Sequence, residues 1–82
     1  MRDPKRIYEA MNLLTEIWAK NPDLRFNQLI YNIQRDYSQK HNDVGLVEMD
    51  DPNGFTVKAY DLFNLEDDEF IKHLRALRDN TQ

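Results

Sequence analysis

Few residues in this 82-residue chain have the types and spacing that a metal site requires. Asp51, Asn53 and Gly54 fit positions three, five and six of a calcium-binding loop. Position one would then be a methionine and position twelve a tyrosine, and neither supplies the carboxylate that the loop needs there. His41 and His73 are the only imidazoles, and the chain has no cysteine. We therefore expect no metal site and no bound cofactor.

Two groups of side chains could take part in catalysis. The adjacent carboxylates Asp67, Asp68 and Glu69 could act as a general acid–base pair, because neighbouring carboxyls push one another's pKa values apart. The same acidic run is favoured at a helix N-terminus by capping and by the helix dipole. Ser38 and His41 lack a carboxylate that could be placed beside them from the sequence. A chain this short also leaves little material for a substrate pocket, so we predict that the protein is not an enzyme.

One predicted helix face carries side chains that can read base edges. A short break at 21–23 joins two predicted helices, as in a helix-turn-helix, and amides and guanidinium groups contact adenine and guanine in pairs of hydrogen bonds. The alternative function is therefore a helix-turn-helix-like nucleic-acid-binding or transcription-modulating protein. Because the chain carries a net charge of −4, we expect no nucleic-acid partner. The candidate nucleic-acid-binding residues are Arg25, Gln28, Asn32 and Arg35.

Aromatic side chains point instead to a protein partner. The chain holds four Tyr, four Phe and one Trp, which is more than a core of this size readily buries. Tyr, Trp and Arg are the residues that most often anchor protein interfaces. An open alternative is that these rings lie over the edge of the core with their polar tips in water. The candidate partner-binding residues are Tyr8, Tyr31, Phe55 and Tyr60.

Length and composition limit the class of protein to which these residues belong. The length allows one domain, 1–82, and eleven Lys and Arg stand against fifteen Asp and Glu, so the protein is acidic. Without disulfides, stability must come from packing and from helix caps. No apolar run approaches the roughly 20 residues of a membrane span, so we expect a cytoplasmic protein with no membrane partner.

Two amphipathic helices are predicted in the first half of the chain. Asp3 is a suitable N-cap and Pro4 a suitable first helical residue, and apolar residues then recur at helical spacing for about 17 residues. Pro22 must end this helix, and Asn21 can adopt the left-handed conformation there. Asp23 is the predicted N-cap of the second helix, whose apolar stripe continues to about residue 39.

The helical period is lost over residues 44–60, where two short apolar stretches flank Pro52-Asn53-Gly54. That tripeptide suits a tight turn, and β-branched and aromatic residues in part alternate with polar ones on either side. We predict a β-hairpin here. Because two strands alone are marginally stable, the alternative is an ordered loop. Such a loop would be held by Phe55, Tyr60 and Leu62.

A third helix is predicted from Asn64 or Leu65, with acidic residues at its start and basic residues near its end, as the helix dipole favours. Residues 79–82 are expected to fray. The chain is thus predicted to be a mainly α, small three-helix domain, helix–helix–β-hairpin or ordered loop–helix. Its predicted core consists of Met11, Leu14, Trp18, Phe26, Leu29, Ile33, Phe70, Ile71 and Leu74.

A longer pattern combines a Trp helix, a Pro-Asp-Leu-Arg turn, a Gln-Leu helix and an Asp-x-Phe-x-x-Glu-Asp start to the last helix. It is carried by Ile17-Trp18, 21–26, 28–30, Asn32, Asp61, Phe63, Glu66 and Asp67. This pattern resembles that of short uncharacterised bacterial and phage proteins, distantly YihD-like. The resemblance implies a small helical domain and supplies no activity. The stretch 41–60 is longer here than in that group, so a function placed there would be peculiar to this protein.

These patterns together predict a small non-enzymatic protein-interaction module of a bacterium or phage. Its partner is expected to be an unidentified protein or a second copy in a homodimer.

Overall fold

A computed structural model describes residues 2–80 and contains three helices with a two-stranded antiparallel hairpin between the second and the third. The prediction of a mainly helical small domain is confirmed, and 44–60 contains a hairpin rather than an ordered loop. The elements are α1 (Lys5–Ala19), α2 (Phe26–Lys40), β1 (Leu46–Asp50), β2 (Thr56–Tyr60) and α3 (Asp67–Asn80).

Helix α1 begins at Lys5, one residue after the predicted Pro4, and it also ends differently from the prediction. The Asp3 carboxylate accepts a hydrogen bond of 2.9 Å from the Lys5 backbone N–H, so its side chain caps the first turn although Pro4 holds the N-cap position. At the other end the Asn21 N–H donates to the Trp18 carbonyl at 2.8 Å in a tight final turn. The prediction of a left-handed Asn21 is wrong. In the described chain, the non-glycine residues with positive φ are Asn42 and Asp43, which reverse the chain after α2.

Helices α1 and α3 run parallel, side by side. Ion pairs join the two helices in the same order from the start of each to its end, and the Lys20 ammonium donates to the Arg78 carbonyl near their ends. The pairs lie at the surface and contribute little each, but together they align the two helices. They are Arg6–Asp67 at 2.6 Å, Arg75–Glu9 at 2.5 Å and Arg78–Glu16 at 3.4 Å.

Helix α2 begins later than predicted. Asp23 is not its N-cap, because Arg25 holds that position and donates its backbone N–H to the Gln28 side-chain oxygen at 2.9 Å. The connection from α1 therefore spans six residues, 20–25. The Trp18 indole N–H donates to the Leu24 carbonyl at 2.8 Å within this connection. That bond holds the six-residue connection against α1.

Five of the nine predicted core residues are buried, and Trp18 and Phe70 are half-buried against them. The predictions that Met11 and Phe26 lie in the core are wrong, because these side chains are 52% and 48% exposed. Met11 lies beside the buried stripe of α1, and Phe26 is the first residue of α2, where its ring is tilted against that of Trp18 with centroids 5.4 Å apart. Residues absent from the prediction complete the core. They are Leu13, Ile17 and Tyr37.

The hairpin has the turn that its sequence predicts. Gly54, with φ +87°, donates its N–H to the Asp51 carbonyl at 2.9 Å, and the Asp51 carboxylate accepts from the Asn53 N–H at 2.9 Å. Strand register pairs Leu46 with Tyr60 and Asp50 with Thr56. The two strands therefore align over their full length.

Helix α3 starts at Asp67, two to three residues later than predicted, and remains helical through Asn80. The expectation of fraying is thus wrong for residues 79 and 80. Residues 81 and 82 lie outside the described residues.

Candidate interaction surface

The hairpin meets the helices through one of its two faces. Side chains alternate along a strand, so the even-numbered positions of β1 and β2 share a face. On that face Tyr60 packs edge-on against Tyr31 of α2, with ring centroids 5.5 Å apart. Leu46, directly opposite Tyr60 in the register, is half-buried. This inner face anchors the base of the hairpin to α2.

The odd-numbered positions form the opposite face, which we call the outer face and define as Val47, Met49, Val57 and Ala59. Val47 pairs with Ala59 and Met49 pairs with Val57 across the strands. Val47, Met49 and Val57 are 40%, 53% and 46% exposed. Cross-strand pairs of apolar residues normally lie on a core. Here the described chain leaves them open to solvent.

The edges of the hairpin are also open. The sheet has only two strands among the described residues, so no third strand pairs with β1 or β2. More of the hairpin's contact with α2 is made by β2 than by β1. The outer edge of β1 therefore presents backbone donors and acceptors to solvent, which is the arrangement that accepts an added strand.

Charge is distributed unevenly between the hairpin and the helices. Residues 43–61 contain five acids and one lysine, whereas the other ten acids are balanced by ten Lys and Arg. The net charge of −4 is thus the charge of the hairpin segment. Its acids are Asp43, Glu48, Asp50, Asp51 and Asp61.

The structure brings three of the four candidate partner-binding residues onto or beside the hairpin. Tyr31 and Tyr60 form the ring pair at its base, and Phe55, 70% exposed, follows the turn. Tyr8 lies on α1, is 71% exposed and has no ring partner among the described residues. Tyr31, Tyr60 and Phe55 therefore belong to one region, and Tyr8 to another element.

Sequence reasoning did not select the outer face as a site. The signal was present, because Val47 and Met49 lie two residues apart, as do Val57 and Ala59, which is the period of a strand face. Which of the two faces is covered depends on the contact between Tyr60 and α2. Phe63, 90% exposed in the connection before α3, was likewise not selected.

The candidate nucleic-acid-binding residues are divided between two places. Gln28 and Arg25 form the cap of α2, so the Gln28 oxygen is already engaged. Asn32 and Arg35 line a cleft of about 320 Å³ between the helices. Asp36 lines the same cleft, and its carboxylate would oppose the approach of a phosphate.

Polar groups meet between α2 and α3 around His73, which is 6% exposed. Its Nε2 atom lies 3.0 Å from Asp36 Oδ2, but the two atoms are not aligned as a hydrogen bond. Tyr37 packs edge-on against His73 and stacks on His41, whose Nδ1 lies 2.8 Å from the Tyr37 carbonyl. Burial lowers the pKa of His73, aided by the charges of Lys40 and His41 and opposed by Asp36.

This cluster predicts a loss of stability on acidification. Because the pKa of His73 is lower in the folded protein than its ordinary 6.5, the unfolded chain binds more protons as the pH falls below about 6.5. We expect the urea midpoint to fall between pH 7.5 and 5.5, and to fall less in His73→Gln. Tyr8→Phe, a change at an exposed ring outside this cluster, is the control and should keep the wild-type decrease. An unchanged decrease in His73→Gln would contradict the assignment.

The candidate catalytic groups are engaged elsewhere. Ser38 is fully buried, so its hydroxyl is not accessible to a substrate. The Arg6 guanidinium donates to Asp67 at 2.6 Å and holds the pKa of that carboxyl below its ordinary value. Asp68 accepts the Glu69 backbone N–H at 3.0 Å. These carboxylates serve as ion-pair and capping groups at the start of α3.

Within residues 2–80, no three His, Asp or Glu side chains lie close enough together to hold a metal ion. The helices of that same range are too short and too polar to span a bilayer.

The chain matches no family model, no curated protein and no solved structure. The resemblance to short bacterial and phage proteins therefore stays a prediction.

Proposed function

We propose that this protein is a non-enzymatic protein-interaction module that binds its partner through the outer face of the hairpin. The observation that supports this proposal is the exposure of Val47, Met49 and Val57 on the face turned away from α2. Soluble proteins seldom leave paired apolar side chains open on a sheet unless another surface covers them.

The way the hairpin is attached supports the same proposal. Two strands in isolation are marginally stable, and this hairpin is held to the helices at its base by the Tyr31–Tyr60 contact. A partner that covers the outer face adds apolar contact area to strands that have little of their own. Binding and ordering of the hairpin then reinforce each other.

A double variant tests the proposal. Met49→Thr with Val57→Thr makes the outer face polar, and threonine keeps a high preference for strands, so the fold should be retained. A photoreactive amino acid in place of Phe55 is used in cells of the source organism to identify the protein that cross-links. With that partner purified, we expect the double variant to weaken binding by about tenfold or more, measured by calorimetry.

The matched control is Ile7→Gln with Met11→Gln, which removes two similarly exposed apolar side chains from α1. It should bind as the wild type does, and all variants should melt within a few degrees of one another. The proposal fails if both double variants weaken binding equally. It also fails if neither does.

A further inference from the structure

We infer that the partner presents an extended segment in which apolar residues alternate with Lys or Arg, and that this segment pairs with the outer edge of β1. The inference rests on the proposed function and specifies the chemistry of the partner. It follows from the unpaired charge of the hairpin, the alternation along β1 and the position of its free edge.

The acids of the hairpin segment are uncompensated. Among the described residues, none of the five forms an ion pair, although Glu48 lies directly opposite Lys58 in the register. Several acids on the helices, by contrast, are paired with arginines of a neighbouring helix. Glu9 and Glu16 are examples. The negative field of the protein is therefore concentrated at the hairpin, where it would attract a cationic surface.

The same charges disfavour a second copy as the occupant. Packing two outer faces together would bring two hairpin segments, each with five acids and one lysine, into contact. Two segments of net charge −4 repel each other even with Glu48 and Asp50 on the faces turned away from the contact, and each copy offers only Lys58 to relieve that repulsion. The charge thus keeps the exposed apolar face of one molecule from pairing with that of another.

The edge of β1 determines the pattern of the partner. Along β1, Val47 and Met49 lie on the outer face, whereas Glu48 and Asp50 lie on the inner face. A strand added beside β1 places its side chains in the same two layers. Apolar residues would then extend the outer face that the body of the partner covers, and basic residues would stand beside Glu48 and Asp50.

The edge of β2 is the poorer acceptor. Lys58 occupies the inner layer there and would repel a basic strand, and β2 is the strand with the larger contact with α2. Backbone hydrogen bonds at Asp61–Gly45 and Asp51–Phe55 show that odd-numbered residues bond within the hairpin. By the alternation of an antiparallel ladder, the N–H groups of Glu48 and Asp50 point outward. An added strand on β1 would accept hydrogen bonds from them.

The test uses a synthetic nonapeptide of alternating Val and Lys, with a second peptide in which Glu replaces every Lys as the control. Binding is followed by NMR on the full-length protein. We expect the Lys peptide to slow hydrogen exchange at the Glu48 and Asp50 amides and the Glu peptide to leave them unchanged. Affinity for the Lys peptide should fall as salt is raised, because these charges are exposed.

Charge variants complete the test. Glu48→Gln with Asp50→Asn should weaken binding of the Lys peptide by about fivefold. The control, Asp68→Asn with Glu69→Gln, removes two acids from the start of α3 and should leave binding unchanged. Equal weakening by both pairs would show attraction to net charge alone and would overturn the assignment to the β1 edge.

Two further outcomes overturn the inference and leave the proposed function standing. One is equal binding of the Glu and Lys peptides. The other is a homodimer, seen by sedimentation and lost in Met49→Thr with Val57→Thr. Failure of the proposed function is recognised separately, because the outer-face variant would then bind the purified cross-linked protein as tightly as the wild type does.

Discussion

Leu74→Ala is expected to destabilise the protein by about 2–5 kcal/mol, the range measured when a large apolar side chain is removed from a core. Leu74 has no exposed surface and lies on α3 among side chains from α1 and α2. The surrounding helices cannot close fully over the cavity, so both the transfer energy and the packing contacts are lost. A domain of this size has little stability in excess of that amount. Urea denaturation followed by circular dichroism measures the change.

Met11→Ala is the matched control. Met11 shares the helical spacing of α1 with the buried residues, yet it is 52% exposed. We expect a cost of less than about 1 kcal/mol, as for most surface substitutions. An equal loss of unfolding free energy in Leu74→Ala and Met11→Ala would contradict the packing described for α1.

Gly45→Ala is expected to cost about 2–3 kcal/mol, because strain and steric overlap act together there. Gly45 has φ +80°, and a Cβ atom would lie 2.6 Å from the Asp61 carbonyl oxygen and 2.7 Å from the Leu62 side chain. The backbone cannot shift freely, since the Gly45 carbonyl accepts a hydrogen bond from the Asp61 N–H at 2.7 Å. We expect faster hydrogen exchange throughout the hairpin together with a lower melting temperature.

Gly54→Ala separates these two contributions. Gly54 has a similar φ of +87°, but a Cβ atom added there would meet no other atom within 4 Å. Gly54→Ala should therefore lower the free energy of unfolding by the conformational strain alone, about 1 kcal/mol. If the two variants prove equally stable, the close approach of residues 45 and 61 is not part of the native structure.

The elements of this fold were predictable because each has a local cause. The Asp3 cap, the Pro22 stop and the Pro52-Asn53-Gly54 turn act within a few residues of themselves. The apolar stripes identify Leu14, Ile33 and other core residues in the same way. Local causes therefore account for the order of the helices and strands.

What could not be predicted depends on contacts between distant elements. Leu13 and Met11 lie on either side of the stripe of α1, and only the position of α3 decides that Leu13 is buried. The meeting of His73 with Asp36 likewise requires α3 to pack against the end of α2. The outer face of the hairpin could not be identified from the sequence for the same reason, because the Tyr31–Tyr60 contact determines which face is covered.

The parallel packing of α1 with α3 has a consequence for synthesis of the chain on the ribosome. Ile71 and Leu74, which complete the core over α1, belong to α3, which follows α1 and α2 in the chain. Until α3 has been translated and has emerged, α1 and α2 expose the apolar surface that these residues cover. Domains generally fold as units during synthesis, and an incomplete one is open to misassociation. We therefore expect the core of this domain to form only after α3 has emerged from the ribosome.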